Sequence, residues 1–154
     1  MKTQSKIKVL FVCIHNSARS QMAEAFLNQI AGERFEAQSA GFEPGTLNPL
    51  AVEVMKVMGV DISANPTKSV FEFYKRLNLF DYVITVCDGA NAERCPVFPG
   101  ITKRIHWSFA DPAGLEGDWK QRLTAAALIR DEIRSAVVSF IDECSRITGV
   151  HNEN

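Results

Sequence analysis

The run Ile7-Lys8-Val9-Leu10-Phe11-Val12 is apolar at every position but one. A run without alternation reads as a strand buried on both faces. Tyr82-Val83-Ile84-Thr85-Val86 reads the same way, and Thr102–Trp107 forms a further strand. Phe35–Ala40 is a shorter strand, ended by Gly41. Between these runs the apolar spacing becomes helical. From Ser20 to about Ala31, the residues Met22, Ala23, Phe26, Leu27 and Ile30 share one side, and Gly32 is a stop. Asn48-Pro49 opens a second helix, with Pro49 in the first turn and Leu50, Val54, Val57 and Met58 on its apolar face. Gly59 and the Asp61–Thr67 stretch close it. Val70–Leu77 is a short helix, and Leu123 to about Ile147 is a long final one. Four strands alternating with helices predict a parallel α/β sheet with helices on both faces, in a single domain over residues 1–154. Ligands of such sheets bind at the carboxyl ends of the strands. Cys13 and Cys87 each follow a strand directly and are expected on that edge.

Composition excludes several classes of function. The chain has 154 residues and a net charge of −1, which does not indicate a nucleic-acid partner. No apolar run approaches the roughly 18 residues of a membrane span. Met1–Lys6 lacks a small-residue cleavage site, so no signal peptide is expected. The four cysteines do not form a disulfide scaffold. Without a secretion signal they read as cytoplasmic thiols, catalytic or buried.

The chemistry concentrates in Cys13-Ile14-His15-Asn16-Ser17-Ala18-Arg19-Ser20, where a buried strand passes into a helix. Five residues between cysteine and arginine let the loop curl around a tetrahedral oxyanion. Backbone N–H groups of residues 14–20 point inward, and the helix N-terminus adds positive potential. The Arg19 guanidinium supplies two parallel hydrogen bonds. The same surroundings favour the nucleophilic thiolate of Cys13. Cys-x5-Arg alone is a weak pattern; its place between strand and helix sets it apart from a structural cysteine. His15 reads as loop-shaping or solvent-facing rather than as a base, because a loop-stabilised thiolate needs none.

Cys87 and Cys95 flank a polar stretch. One reading is a core cysteine and an incidental loop cysteine. Zinc fits poorly, since neither belongs to a C-x2-C pair. A redox pair fits better. Eight residues of helix span about 12 Å, whereas a disulfide needs Cα atoms within roughly 7 Å, so pairing requires local unfolding. Asp111-Pro112 follows the last strand and presents either a turn or a carboxyl group that protonates a leaving oxygen. Cys144 continues the spacing of Ile133, Val137, Phe140 and Ile141 and reads as buried packing. His106 and Trp107 read as packing too.

Cys13 to Ala25, reading CIHNSARSQMAEA, resembles the active-site loop and first helix of arsenate reductases with the low-molecular-weight tyrosine phosphatase fold. The similarity continues through Ser39-Ala40-Gly41, Asn48-Pro49, Asp61-Ile62-Ser63, Val83-Ile84-Thr85-Val86-Cys87, Cys95-Pro96 and His106-Trp107-Ser108-Phe109-Ala110-Asp111-Pro112. It covers nearly the whole chain. Cys87, Cys95 and the HWSFADP stretch together resemble the thioredoxin-coupled reductases.

The resemblance implies that Cys13 attacks arsenate held by the loop and Arg19, and that Asp111 protonates the departing oxygen. Cys87 then attacks Cys13 and arsenite leaves. Cys95 attacks Cys87, and the disulfide moves to Cys87–Cys95, where thioredoxin reaches it. No tightly bound cofactor is implied. Thioredoxin is the electron donor, with glutaredoxin and glutathione as the alternative, and a monomer is expected. Ala18 stands where the family loop often has a second cysteine, and the spacer between Cys87 and Cys95 is slightly longer than in some relatives. Some relatives bind potassium through residues matching Asn16, Glu24, Ser39 and an aspartate. Ser69, beside Lys68, takes the aspartate's place, so no metal is expected, and Asn16 and Ser39 are expected to brace the loop by hydrogen bonds. The runner-up is a low-molecular-weight protein tyrosine phosphatase, because phosphate and arsenate are nearly isosteric. A non-enzymatic oxyanion-binding or arsenite-sensing protein leaves Asp111 unexplained.

Overall fold

The computed structural model describes residues 5–87 and 89–152. Met1–Gln4, part of the stretch where no signal peptide is expected, and Asp88, between Cys87 and Cys95, lie outside the described residues. Strands β1 (Ile7–Cys13), β2 (Phe35–Gly41), β3 (Tyr82–Thr85) and β4 (Lys103–His106) form one parallel sheet in the order β2-β1-β3-β4. Helices α1 (Arg19–Ala31), α2 (Pro49–Val57), α3 (Val70–Lys75), α4 (Gly89–Ala92) and α5 (Trp119–Asn152) connect and cover it, and a 3-10 turn spans Pro112–Gly114.

Consecutive residues of a strand face opposite sides of the sheet. Val9, Leu10, Phe11 and Val12 are all fully buried, so β1 is covered on both faces. That is why its sequence does not alternate. On the helix side, α1 packs on β2 and α5, and α5 also packs on α2. Phe140 of α5 meets the rings of Phe35, Tyr82 and Trp107.

The strand order sets the site. The chain moves from β1 outward to β2, then returns past β1 to β3. The direction of winding reverses between β1 and β3, and the crevice at such a reversal is where open α/β sheets bind ligands. Val12 pairs with Thr85 across it, and the Val86 N–H donates to Val12 O at 2.8 Å. Cys13 and Cys87 therefore leave neighbouring strands on the carboxyl edge.

Several expectations are corrected. Val57 is 79% exposed, and Ala51 and Met55 join Leu50 and Val54 on the buried face of α2. Ile30 is likewise exposed near the end of α1. The last helix starts at Trp119, four residues before the apolar pattern begins. Asp118 Oδ1 accepts from Gln121 N at 2.8 Å and Gln121 Oε1 accepts from Asp118 N at 2.9 Å. This reciprocal capping starts a helix ahead of its apolar face. The Cys87–Cys95 connection also contains the short helix α4, which periodicity did not indicate.

Candidate active site

The loop from Cys13 to Arg19 is held from outside. Phe42 N donates to Cys13 O at 3.1 Å, Glu43 N to Ile14 O at 2.8 Å, Gly45 N to His15 O at 3.0 Å and Asn48 N to Ser17 O at 2.9 Å. The 42–48 strap thus engages the carbonyls of Cys13, Ile14, His15 and Ser17 and leaves the loop's N–H groups out of that ladder. Asn16 adopts φ 55°, a left-handed residue that turns its N–H back onto Cys13 Sγ at 3.2 Å. Gly41 backs this turn. A Cβ there would lie 2.7 Å from Asn16 N and from Ile14 O, so no side chain fits. Ala18 precedes α1 and offers no side-chain cap, which leaves the first-turn N–H groups for an anion.

A hydrogen-bond chain reaches the sulfur. Lys68 N donates to Asn16 Oδ1 at 2.9 Å, and Gln21 Nε2 also approaches that oxygen at 3.2 Å. A backbone N–H can only donate, so the Asn16 amide is oriented with its oxygen there. Its Nδ2 therefore donates to Ser20 Oγ at 2.8 Å. The Ser20 hydroxyl proton is then free for Cys13 Sγ, 2.8 Å away. Cys13, Asn16, Ser20 and Gln21 are all buried, and Lys68 is half-buried.

Arg19 is buried at the start of α1. Nη1 donates to Phe109 O at 3.3 Å, and Nη2 lies 3.3 Å from Asp111 Oδ2. Asp111 Oδ1 accepts from Ala113 N at 3.0 Å at the head of the 3-10 turn. The structure thus brings Asp111 to the loop's arginine, while about a third of its side chain stays open to solvent. His15 is exposed, its Nδ1 2.8 Å from Glu43 O. Trp107 packs among rings, whereas His106 is exposed and its ring bonds Thr85 Oγ1 at 2.7 Å and Ser108 Oγ at 3.0 Å, a polar role where packing was expected.

Gln21 escaped the sequence reading. Its Nε2 also reaches Asn16 O at 3.2 Å and Pro66 O at 3.0 Å, and its Oε1 accepts from Asn65 Nδ2 at 3.1 Å. It joins the loop to the segment before α3. The available signal was a polar side chain next to Ser20 on the first turn of an apolar helix.

Ser39 is placed differently from expectation. It donates to Glu24 Oε1, not to the loop. Burial pushes the Glu24 carboxyl up, opposed by the Ser39 hydrogen bond and by Lys68, whose Nζ lies 3.9 Å away. The residues matching the potassium ligands do not fit such an ion. Lys68 brings its own ammonium to Glu24, and Ser69 Oγ is engaged by Phe71 N.

All four cysteines are buried and no disulfide joins them. Burial pushes the Cys95 thiol up to about 11; Arg104 draws it down and Cys87 adds to the rise. Cys144 lies buried 3.9 Å from the Tyr82 hydroxyl, away from the loop residues. Beside the loop, a cavity of about 500 Å³ is lined by His15, Ser17, Leu47, Pro112, Trp119 and Arg122 among others.

Comparison with known proteins follows the same residues. The family model described as low molecular weight phosphotyrosine protein phosphatase matches residues 8–143. The chain is 40% identical over 138 residues to the arsenate reductase of Shouchella clausii, covering 90% of this chain and 97% of that one. It is 40% identical over 134 residues to the arsenate reductase of Bacillus subtilis, covering 87% and 94%. The solved thioredoxin-dependent arsenate reductase of Corynebacterium glutamicum superposes with a TM-score of 0.70 at 31% identity, covering 92% of this chain and 63% of that one. The chain belongs to the low molecular weight phosphotyrosine protein phosphatase family, in the group of the arsenate reductases.

Proposed function

We propose that this chain reduces arsenate to arsenite through Cys13, Cys87 and Cys95, with thioredoxin restoring the thiols in the cytoplasm. The carrying observation is the emergence of Cys13 and Cys87 from paired strands at the winding reversal, with a third buried thiol, Cys95, at the end of the connection that follows Cys87. A phosphatase needs only the first of these thiols. The arsenate reductases among its relatives and the thioredoxin-dependent neighbour support the same reading.

The loop N–H groups and Arg19 bind the arsenate oxygens, and Ser20 donates to Cys13 Sγ. The thiolate attacks arsenic, and one oxygen leaves as water with the proton of Asp111. Arg19 holds Asp111 within reach of that oxygen. Cys87 then attacks Cys13 Sγ. The S–As electron pair passes to arsenic, which leaves as arsenite, and a Cys13–Cys87 disulfide forms. Two thiols have lost two electrons and As(V) has gained them. Cys95 next attacks Cys87, releasing Cys13 as thiolate and forming Cys87–Cys95. The dithiol of thioredoxin reduces that bond. Arsenite production with thioredoxin, thioredoxin reductase and NADPH, beside a glutaredoxin–glutathione control, tests the assignment. Turnover with the first system is expected, and turnover only with the second would replace the donor.

One observation favours a second activity. The cavity beside the loop, with Leu47, Pro112 and Trp119 in its wall, has room for the organic part of a phosphate ester. A slow aryl phosphatase activity through Cys13, Arg19 and Asp111 is consistent with it.

A further inference from the structure

The segment that carries Cys95 is tied to the oxyanion loop by side chains with no part in the chemistry above. Arg94 Nη2 lies 2.7 Å from Glu43 Oε2, and the same guanidinium covers the Phe42 ring at 5.0 Å. Both partners belong to the strap that holds the loop. Phe42 N donates to Cys13 O at 3.1 Å and Glu43 N to Ile14 O at 2.8 Å, and Glu43 O lies 2.8 Å from His15 Nδ1. Arg94 thus joins the residue before Cys95 to the residues that shape the nucleophile's loop. On the other side, Arg104 Nη2 donates to Cys95 O at 3.3 Å.

These ties matter because Cys95 is only 5% exposed and Cys87 is fully buried. A protein dithiol cannot reach a disulfide between sulfurs so placed, so residues 91–95 must swing outward during turnover. An exposed ion pair backed by one ring is suited to that task, since it holds the segment without locking it.

We propose that Arg94, Glu43 and Phe42 form a latch that keeps the Cys95 segment closed against the oxyanion loop and releases it for disulfide exchange. Arg94 and Glu43 are positioning residues, and their role in turnover rests on the three-cysteine reading. The exchange they gate is balanced. Cys95 loses its proton to solvent and bonds Cys87, and the Cys87 bond to Cys13 breaks with Cys13 leaving as thiolate. Opening also slackens the strap at Glu43, so the loop is best formed when the relay is reduced.

The test compares reduced wild-type protein with Arg94→Met, Glu43→Gln and the double variant, without arsenate. Amide hydrogen exchange of residues 91–95 should rise about twofold to fivefold in each single variant. The double variant should exceed neither, because both substitutions break one contact. Oxidation by diamide, a chemical thiol oxidant, should form Cys87–Cys95 faster by a similar factor. Unchanged exchange, additive effects, or coupled exchange with an unchanged diamide rate would each overturn the latch. Neither readout requires arsenate, so failure of the arsenate assay would leave this result standing and identify the functional reading as the one at fault.

Discussion

Arg19 Nη2 lies 3.3 Å from Asp111 Oδ2, joining the first turn of α1 to the turn after β4. The contact puts the carboxyl group proposed as the acid beside the guanidinium proposed to hold the oxyanion. Asp111→Asn keeps the shape and the Ala113 hydrogen bond but removes the transferable proton. The first thiol–arsenic step should slow by roughly 10²–10⁴-fold while oxyanion binding persists. Single-turnover kinetics check this, and an unchanged first step would remove Asp111 from the mechanism.

Cys13→Ser should abolish arsenate reduction with the fold intact, because a hydroxyl ionises far less readily than a thiol in the same loop. Arg19→Lys should be severely impaired. A point charge cannot replace the planar fork, nor bridge Phe109 O and Asp111 together. Steady-state assays with circular dichroism as a fold control decide both. Near-normal turnover by either variant would show that the loop does not bind arsenate as described.

Gln21→Ala tests the brace beneath the loop. It removes the amide that approaches Asn16 and Pro66. Buried acceptors lose a partner, and the expected loss is ~1–3 kcal/mol of stability by denaturant titration. Arsenate affinity should fall as well, because Asn16 is freer to leave its left-handed turn. Wild-type stability in this variant would mean that the Lys68 and Ser20 contacts suffice.

The raised Cys95 thiol sets an alkaline limit. Its value is about 11 in the folded chain against an ordinary 9.0. The folded state keeps this proton where the unfolded chain releases it. The contribution is therefore complete below about pH 9 and is lost as pH rises toward about 11. Two units correspond to about 2–3 kcal/mol. Denaturation of wild type and Cys95→Ala across that range should show a steeper alkaline decline for wild type. Parallel curves would mean that Cys95 ionises without penalty.

The sheet and the nucleophile loop were legible because their signals are local. An unalternating apolar run marks a strand covered on both faces, and Cys-x5-Arg at its end marks the turn from strand to helix at the carboxyl edge of the sheet. What periodicity missed depends on distant partners or local caps. Gln21 reads as a polar surface residue until Asn65 and Pro66 close over it. Ser39 faces Glu24 because β2 lies beside α1, a pairing no spacing reveals. Val57 continues an apolar stripe yet is exposed, because Ala51 and Met55 take the buried face of α2. The early start of α5 comes from the Asp118–Gln121 cap, not from hydrophobic period.

The relay itself is tested most directly by trapping its disulfides. Wild type, Cys87→Ser and Cys95→Ser are each exposed to arsenate without thioredoxin, alkylated, and mapped by mass spectrometry. Cys95→Ser should release about one arsenite per chain and stall as Cys13–Cys87, because the last thiol is missing. Cys87→Ser should stop before arsenite leaves. Wild type should hold Cys87–Cys95. If no disulfide forms in any of the three, and all cleave aryl phosphates equally well, the chain is a phosphatase and the relay does not exist.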